Sequence, residues 1–224
     1  MTPRDPIGYH WLSQVTLHLR RELCWLWQER TGGAGEGLPP AADRVGETLD
    51  LTRYAETRKR FFREDPTARF LTDRLEEPAP RPPARKLAPG SFGWVVSELG
   101  LAPAGCFVLA FGLQPVVDSA AGLIYAACAN DPSRTYPTMG LAHRLWEAPD
   151  ELLGCFDPTH PLVLHGLLSS LPGGWQDPIT VHPVIAGQLL GMDGPAPEYF
   201  VRIPAGRSAL PPNAELAAAR LAGG

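Results

Sequence analysis

The sequence predicts a mainly α-helical protein in which an N-terminal helical region precedes a winged-helix-like helical domain with one β-hairpin. Three observations predict it. Apolar residues recur at helical spacing over residues 9–30, and short apolar segments punctuated by glycine and proline follow one another from residue 92 to residue 192. A Pro172-Gly173-Gly174 turn separates two runs that read as short strands.

Residues 9–30 place Leu12, Val15, Leu19, Leu23 and Leu26 at spacings of 3, 4, 4 and 3, which is one face of a helix of about five or six turns. The glycine- and proline-rich stretch 31–40 ends it. A second, strongly charged helical stretch is expected over 43–75, broken at Asp65-Pro66. Together these make residues 1–75 an N-terminal helical region. Residues 76–90 hold five prolines among small and charged residues and read as a Pro-rich linker.

Residues 91–193 form the expected winged-helix-like domain. Its helices are read at 92–101, 105–117 and 119–129, the last stopped by Asn130-Asp131-Pro132. A fourth begins near Pro137, placed in its first turn, and carries Leu141, Ala142, Leu145 and Trp146 on one face. Helix 160–168, a hairpin at 168–181 and helix 182–192 complete the layout. Beyond Gly194-Pro195, residues 198–203 read as a single strand, and a helix opening after Pro211-Pro212 is expected to lead into further protein.

Composition bounds the function classes. With 44% hydrophobic and 20% charged residues, the chain has the apolar material for a real core. Residues 1–100 are nearly neutral, with 15 basic and 14 acidic side chains, whereas residues 87–193 hold only Arg134 and Arg144 against nine acids. Such a surface repels polyanions, so no nucleic-acid partner is expected. The most apolar stretch, Leu99 to Val117, is cut by Gly100, Pro103, Gly105, Gly112 and Pro115, which favours buried elements over a membrane span. Arg4 and Asp5 lead into an amphipathic segment, which is not the pattern of a secretory signal. Cys24, Cys106, Cys128 and Cys155 form no CxxC pair and read as reduced thiols in a cytoplasmic protein.

Catalytic and cofactor motifs are absent from the sequence. The glycine-rich stretch 32–37 lacks the Lys-Ser/Thr that a phosphate-binding loop needs, and there is no GxSxG, HExxH or Cys-His ligand set, so neither a cofactor nor a metal is expected. His160 and His165, five apart, fall on different helix faces. Asp157 reads as a helix cap. Three of the six tryptophans, Trp11, Trp25 and Trp27, lie on the first helix. Trp25 and Trp27 cannot both face the stripe holding Leu23 and Leu26; packing against 43–75 is the plainer expectation, and the sharper one makes the three indoles candidate partner-binding residues.

The runs NDPSRTYPTMGLAHRL (130–145), FDPTHPLVLHGLL (156–168) and DPITVHPVIAGQLLG (177–191) resemble the region ahead of the ATPase module in a group of large bacterial AAA+ ATPases, many encoded beside contractile injection systems. LAFGLQPVVDSAAGLIYAAC (109–128) is similar to the block that precedes it there. The resemblance implies a winged-helix-like fold, with 194–224 as a strand and linker leading toward an ATPase module that this chain lacks. It carries over no catalytic residue, since no Walker motif is present. Asp131, Pro132, Arg134, Tyr136, Pro137 and Thr138 match the most regular block, where the resemblance implies a structural role as helix stop, tight connection and helix start.

The leading expectation is a non-catalytic N-terminal region that recruits a protein client or partner and positions it for an AAA+ motor, with self-association as a further partner class. The alternative is a winged-helix nucleic-acid-binding regulator, whose recognition helix would offer only His143 and Arg144 ahead of Glu147, Asp150 and Glu151. An independent enzyme with a site assembled from scattered residues has no positive support.

Overall fold

A single carboxylate starts the architecture. Asp5 accepts the Gly8 amide (3.0 Å) at the N-terminus of α1 (Pro6–Gly32) and the Gly93 amide (2.7 Å), so one side chain closes one helix and holds the start of another far away in sequence. Glycine at position 93 leaves room for this contact, because a Cβ there would stand 2.7 Å from Asp5 Oδ1 and 3.1 Å from Ile7 Cβ and would push the carboxylate aside. The computed structural model describes residues 5–32, 51–80, 87–169 and 171–191, and among them it is mainly helical with no strand.

After α1 come α2 (Leu51–Glu64) and α3 (Pro66–Leu75). The break between them is the expected one: Asp65 accepts the Ala68 amide (2.8 Å) and Pro66 occupies the first turn, where its missing N–H costs nothing. Residues 76–80 and 87–90 are irregular. The start of the 43–75 stretch, most of the 31–40 segment, and the strand and helix expected in 194–224 lie outside the described residues.

Helix α4 (Phe92–Leu99) is capped by Ser91 and stopped by Gly100, whose φ of 57° is the left-handed conformation that ends helices without a Cβ penalty. Helix α5 (Pro103–Val117) is buried continuously from Ala104 to Gln114, which explains its unbroken apolar sequence. No helix among the described residues is long and apolar enough to cross a membrane. Helix α6 (Ala121–Ala129) ends on Asn130, which takes the left-handed conformation (φ 52°). Then follow α7 (Met139–Leu145), α8 (Pro149–Gly154), the single turn α9 (Pro161–Leu164) and α10 (Pro183–Leu189).

Helix α5 is the axis of the core. Phe107 stacks on Phe111 at 5.6 Å, and Phe111 meets the edge of Tyr125 from α6 at 5.4 Å. Helix α1 packs along α5 and also touches α2, α3, α4, α6 and α7. Ile7, Leu12, Val15 and Leu19 therefore belong to the same apolar core as Phe107, Leu113 and Leu162. Each such side chain contributes about 1.5–3 kcal/mol on full burial.

Several expectations need correction. Residues 1–75 and 91–193 do not keep separate cores at α1, because the stripe of α1 is long enough to cover α5; both segments lie in one unit spanning Met1–Asp193. Leu23 and Leu26 sit only at the edge of that core, while polar residues beside the stripe are buried. The hairpin at 168–181 does not form a ladder among the described residues. Residues 171–181 form an arm held by isolated contacts and one internal turn: Ser169 N donates to Thr180 O (2.8 Å), Asp177 Oδ2 accepts the Gly173 (2.7 Å) and Gly174 (3.0 Å) amides, and Thr138 and Pro178 form one antiparallel bridge. Other backbone groups of the arm bond to residues 137–140. Ile179 N donates to Pro137 O (2.8 Å), Met139 N to Asp177 O (3.2 Å) and Gly140 N to Trp175 O (2.7 Å). Pro137 thus lies before the cap of α7, which is Thr138 accepting the Leu141 amide (3.2 Å). Helix 160–168 shrinks to one turn because Gly166, at φ 63°, turns the chain.

Candidate functional site

One face of α1 carries Trp11, Gln14, His18 and Arg21 at spacings of 3, 4 and 3, with His10 four residues before Gln14, beside the apolar stripe. They floor a cleft of about 340 Å³. Its walls are the end of α3 with Glu76, Glu77 and Ala79 on one side, and Pro103, Trp146, Glu147, Ala148 and Glu151 on the other. A second hollow of about 530 Å³ continues along α1 past Pro6, Tyr9, Ser13 and Leu17 to Arg74, Pro78 and Pro80, sharing His10, Gln14 and Glu77 with the first.

Beneath the cleft lies a buried charged cluster. Arg21, whose side chain is 3% exposed, donates to Glu147 at 3.1 Å, a carboxylate that is itself 75% exposed. Its guanidinium lies 4.5 Å from the centre of the Phe62 ring, with Arg58 on the same ring at 4.8 Å. Glu22 is fully buried and takes two guanidiniums: Arg58 from α2, with Nε at 3.2 Å, and Arg144 from α7, with Nε at 2.9 Å. The Arg144 contact is an ion pair with poor hydrogen-bond alignment, so Glu22 Oε1 and Arg144 Nε are left without a hydrogen bond. Arg144 also donates to the Cys128 carbonyl, and Arg58 to the Arg144 carbonyl at 3.1 Å. Helices α1, α2, α6 and α7 are thereby tied through one anion.

His18 packs edge-on against Phe107 (5.2 Å) and near Trp146 (6.0 Å). Burial, reinforced by the positive charges of Arg21 and Arg58, lowers its pKa to about 3, so it is a neutral ring at physiological pH. Its Nδ1 lies 3.5 Å from Arg21 Nη2, which assigns the acceptor role to that nitrogen. Burial also lowers the pKa of His10. Gln14 is 6% exposed and makes no hydrogen bond among the described residues, yet its side chain lines both hollows.

The three indoles proposed for docking separate. Trp11 is in the cleft, partly buried against the core and edge-on to His10 at 5.4 Å. Trp25 is a core residue of a small second cluster with Phe62 and Ala68, and it donates to Tyr54 Oη at 2.8 Å. For Trp25, packing against the 43–75 stretch, the plainer expectation, is what the structure shows. Trp27 is 69% exposed. Trp25→Phe keeps a ring in this cluster but removes the donor to Tyr54 and part of the buried indole volume. It is expected to cost about 2 kcal/mol in urea unfolding, with no change in the secondary structure seen by circular dichroism.

Residues 131–138 lie away from the cleft. Asp131 accepts Ser133 N (2.9 Å) and Ser133 Oγ (2.7 Å) and pairs with Arg134 (3.0 Å). The Ser133 bonds come first in holding its carboxyl below the usual range. Arg134 also donates to Gln176 in the arm. Pro137 and Thr138 hold the arm as described, Pro132 lies in the turn between α6 and α7, and Tyr136 is exposed. Sequence reading placed this block at a connection and missed its grip on 175–179.

Among the described residues, no group of three or more His, Cys, Asp or Glu could hold a metal ion. His160 and His182 are spent as caps, accepting the Leu162 and Val184 amides at 3.3 Å each. Trp146, Glu147 and Gln14 were missed by sequence reading. The available signal was polar residues at helical spacing on α1. No protein-family model, curated protein or solved structure matches this chain.

Proposed function

We propose that this chain is a non-catalytic recruitment module, the N-terminal part of an AAA+ ATPase of the kind its sequence resembles, and that it acts in the cytoplasm by holding a protein client or partner for the motor. The observation that carries the reading is the open, aromatic-lined groove along α1, whose buried ionisable groups are committed to structure while Glu76 and Glu151 stand exposed at its rim. His18 is held neutral, Arg21 is paired, and Glu22 is sealed beneath the surface. A groove built this way offers contact area, and in the cleft its free carboxylates are solvated on the rim with no Ser or Cys nucleophile among the lining residues. The thiols point the same way: burial pushes Cys106 and Cys128 up to about 12 and Cys155 to about 11, far from the thiolate form a nucleophile needs. All four cysteines are free, which fits a reducing compartment.

A nucleic-acid-binding role is the weaker reading. Arg134 and Arg144, the only basic side chains between residues 87 and 193, are engaged with Asp131 and Glu22 respectively. The winged-helix-like layout stays part of this proposal: the short helices between Phe92 and Leu164 precede α10 in the expected order, and recruitment does not depend on a paired wing.

The test lies in the gene and in the tube. The reading frame beyond codon 224 should enter an ATPase with Walker A and B motifs, and a frame that closes with no adjoining ATPase overturns the assignment. The 224-residue chain itself is expected to give no heat on titration with ATP and no polarisation change with a labelled DNA duplex at physiological salt. Micromolar DNA binding would restore the regulator reading.

A further inference from the structure

The two hollows along α1 share His10, Gln14 and Glu77 and so make one groove from Tyr9 to Arg21. At 1.5 Å per helical residue it is about 18 Å long, room for roughly five or six residues of extended chain. A small molecule would leave most of it empty.

Its charge selects the occupant. The first hollow is lined by four carboxylates, Glu76, Glu77, Glu147 and Glu151, against the single guanidinium of Arg21, which is already paired with Glu147. Farther along, Arg74 engages Glu77 at 2.8 Å. Glu76 and Glu151 are exposed and have no ion-pair partner among the described residues. Two indoles, Trp11 and Trp146, line the same hollow and offer the aromatic surface on which a guanidinium or ammonium group settles. Of the two imidazoles there, His18 is neutral and burial lowers the pKa of His10 as well.

Gln14 supplies the independent observation. Its side chain is more than nine-tenths buried, lacks a hydrogen-bond partner among the described residues and borders both hollows. Its amide atoms are not enclosed, so they open onto the groove, where a ligand can reach them. One carbonyl and one NH₂ match the N–H and C=O of a peptide unit laid beside them.

We infer that this groove binds an extended, basic segment of a partner polypeptide, with Gln14 pairing to its backbone and an arginine or lysine side chain held by Trp11, Trp146 and the acidic rim. This deepens the recruitment reading and rests on it for the partner's identity as a protein. The recruitment assignment to an ATPase stands or falls separately, on the gene beyond codon 224.

The experiment uses the full chain and a fluorescein-labelled heptapeptide of alternating alanine and arginine, followed by fluorescence anisotropy at about 50 mM salt. A heptapeptide with glutamate in place of arginine is the control. The arginine peptide should bind and the glutamate peptide should not. The double variant Glu76→Gln/Glu151→Gln, at exposed positions away from the core, should weaken binding about tenfold. Gln14→Leu, close in volume, should weaken it by a similar factor while leaving the salt dependence unchanged, because it removes no charge. Equal affinity for the two peptides overturns the inference. So does an arginine-peptide affinity that neither variant alters, since that places the binding elsewhere on the molecule.

Discussion

Glu22→Ala will lower the unfolding free energy by about 3 kcal/mol, the lower end of the cost of breaking a buried ion pair from one side. Glu22 is fully buried and anchors Arg58 and Arg144, so its removal strands two guanidiniums beside the Phe62 ring and the Cys128 carbonyl. The full penalty is not reached, because the Arg58 side chain is 20% exposed and that of Arg144 38%, and each regains water by a modest swing. Glu22→Gln should cost less, since the amide oxygen still accepts from one arginine. The triple variant Glu22→Leu/Arg58→Leu/Arg144→Met is expected to recover much of the loss, because no charge is then left unpaired. Urea midpoints at constant m-value check the series. A Glu22→Ala effect under 1 kcal/mol would mean that the carboxylate is not the tie between α1, α2 and α7.

Acidification from pH 6.5 to 4.5 will destabilise the fold, with His18 contributing up to about 1.4 kcal/mol per pH unit. The sign follows from its depressed pKa. Above 6.5 the ring is neutral in both states and has no effect; below 6.5 the unfolded chain takes up the proton, whereas the folded one refuses it until about pH 3. Stability is therefore complete above the unfolded value and is lost as the pH falls toward the folded one. Burial is the main cause, and Arg21 and Arg58 add repulsion, while the bond to the Leu145 carbonyl opposes the shift. His10 and His160 act in the same direction, and Glu29, whose pKa is raised by burial, acts in the opposite one. Asp131 and Asp157 are held below 3.8 and so fall outside the window. The comparison that isolates His18 is with His18→Phe, which keeps the edge contact to Phe107. Its urea midpoint should fall less steeply between pH 6.5 and 4.5, and parallel curves for the two proteins would rule His18 out.

What the sequence made legible was local. Asp65-Pro66 and Asn130-Asp131-Pro132 marked real boundaries because a cap or a helix stop is written within three or four residues. The unbroken apolar run of α5 announced its burial. Other features depend on partners far along the chain. The apolar stripe of α1 was visible, but burial of Arg21 and Glu22 beside it depends on Glu147, Arg58 and Arg144, and no periodicity records those. Strand-like residues at 176–181 were read as half of a hairpin, although Ile179 and Asp177 bond to the α7 entry instead. Trp25 looked surplus to its helix because Tyr54 and Phe61, which cover it, lie in another one. Short helices such as α8 escaped notice, being too brief to show a repeat.

The central place of α1 also sets a schedule for making the protein. Thr16 on α1 receives the Gln114 amide from 98 residues farther along, and Arg21 meets Glu147 across 126. A ribosome adding roughly 5–20 residues per second needs on the order of 5–20 s to supply that first partner, whereas a helix forms in about a microsecond. Through that interval Leu12, Val15 and Leu19 are an uncovered greasy strip on a nascent chain. Productive burial waits for α5, so α1 is translated first and docked late, and the cell's holding chaperones have their opportunity in the gap.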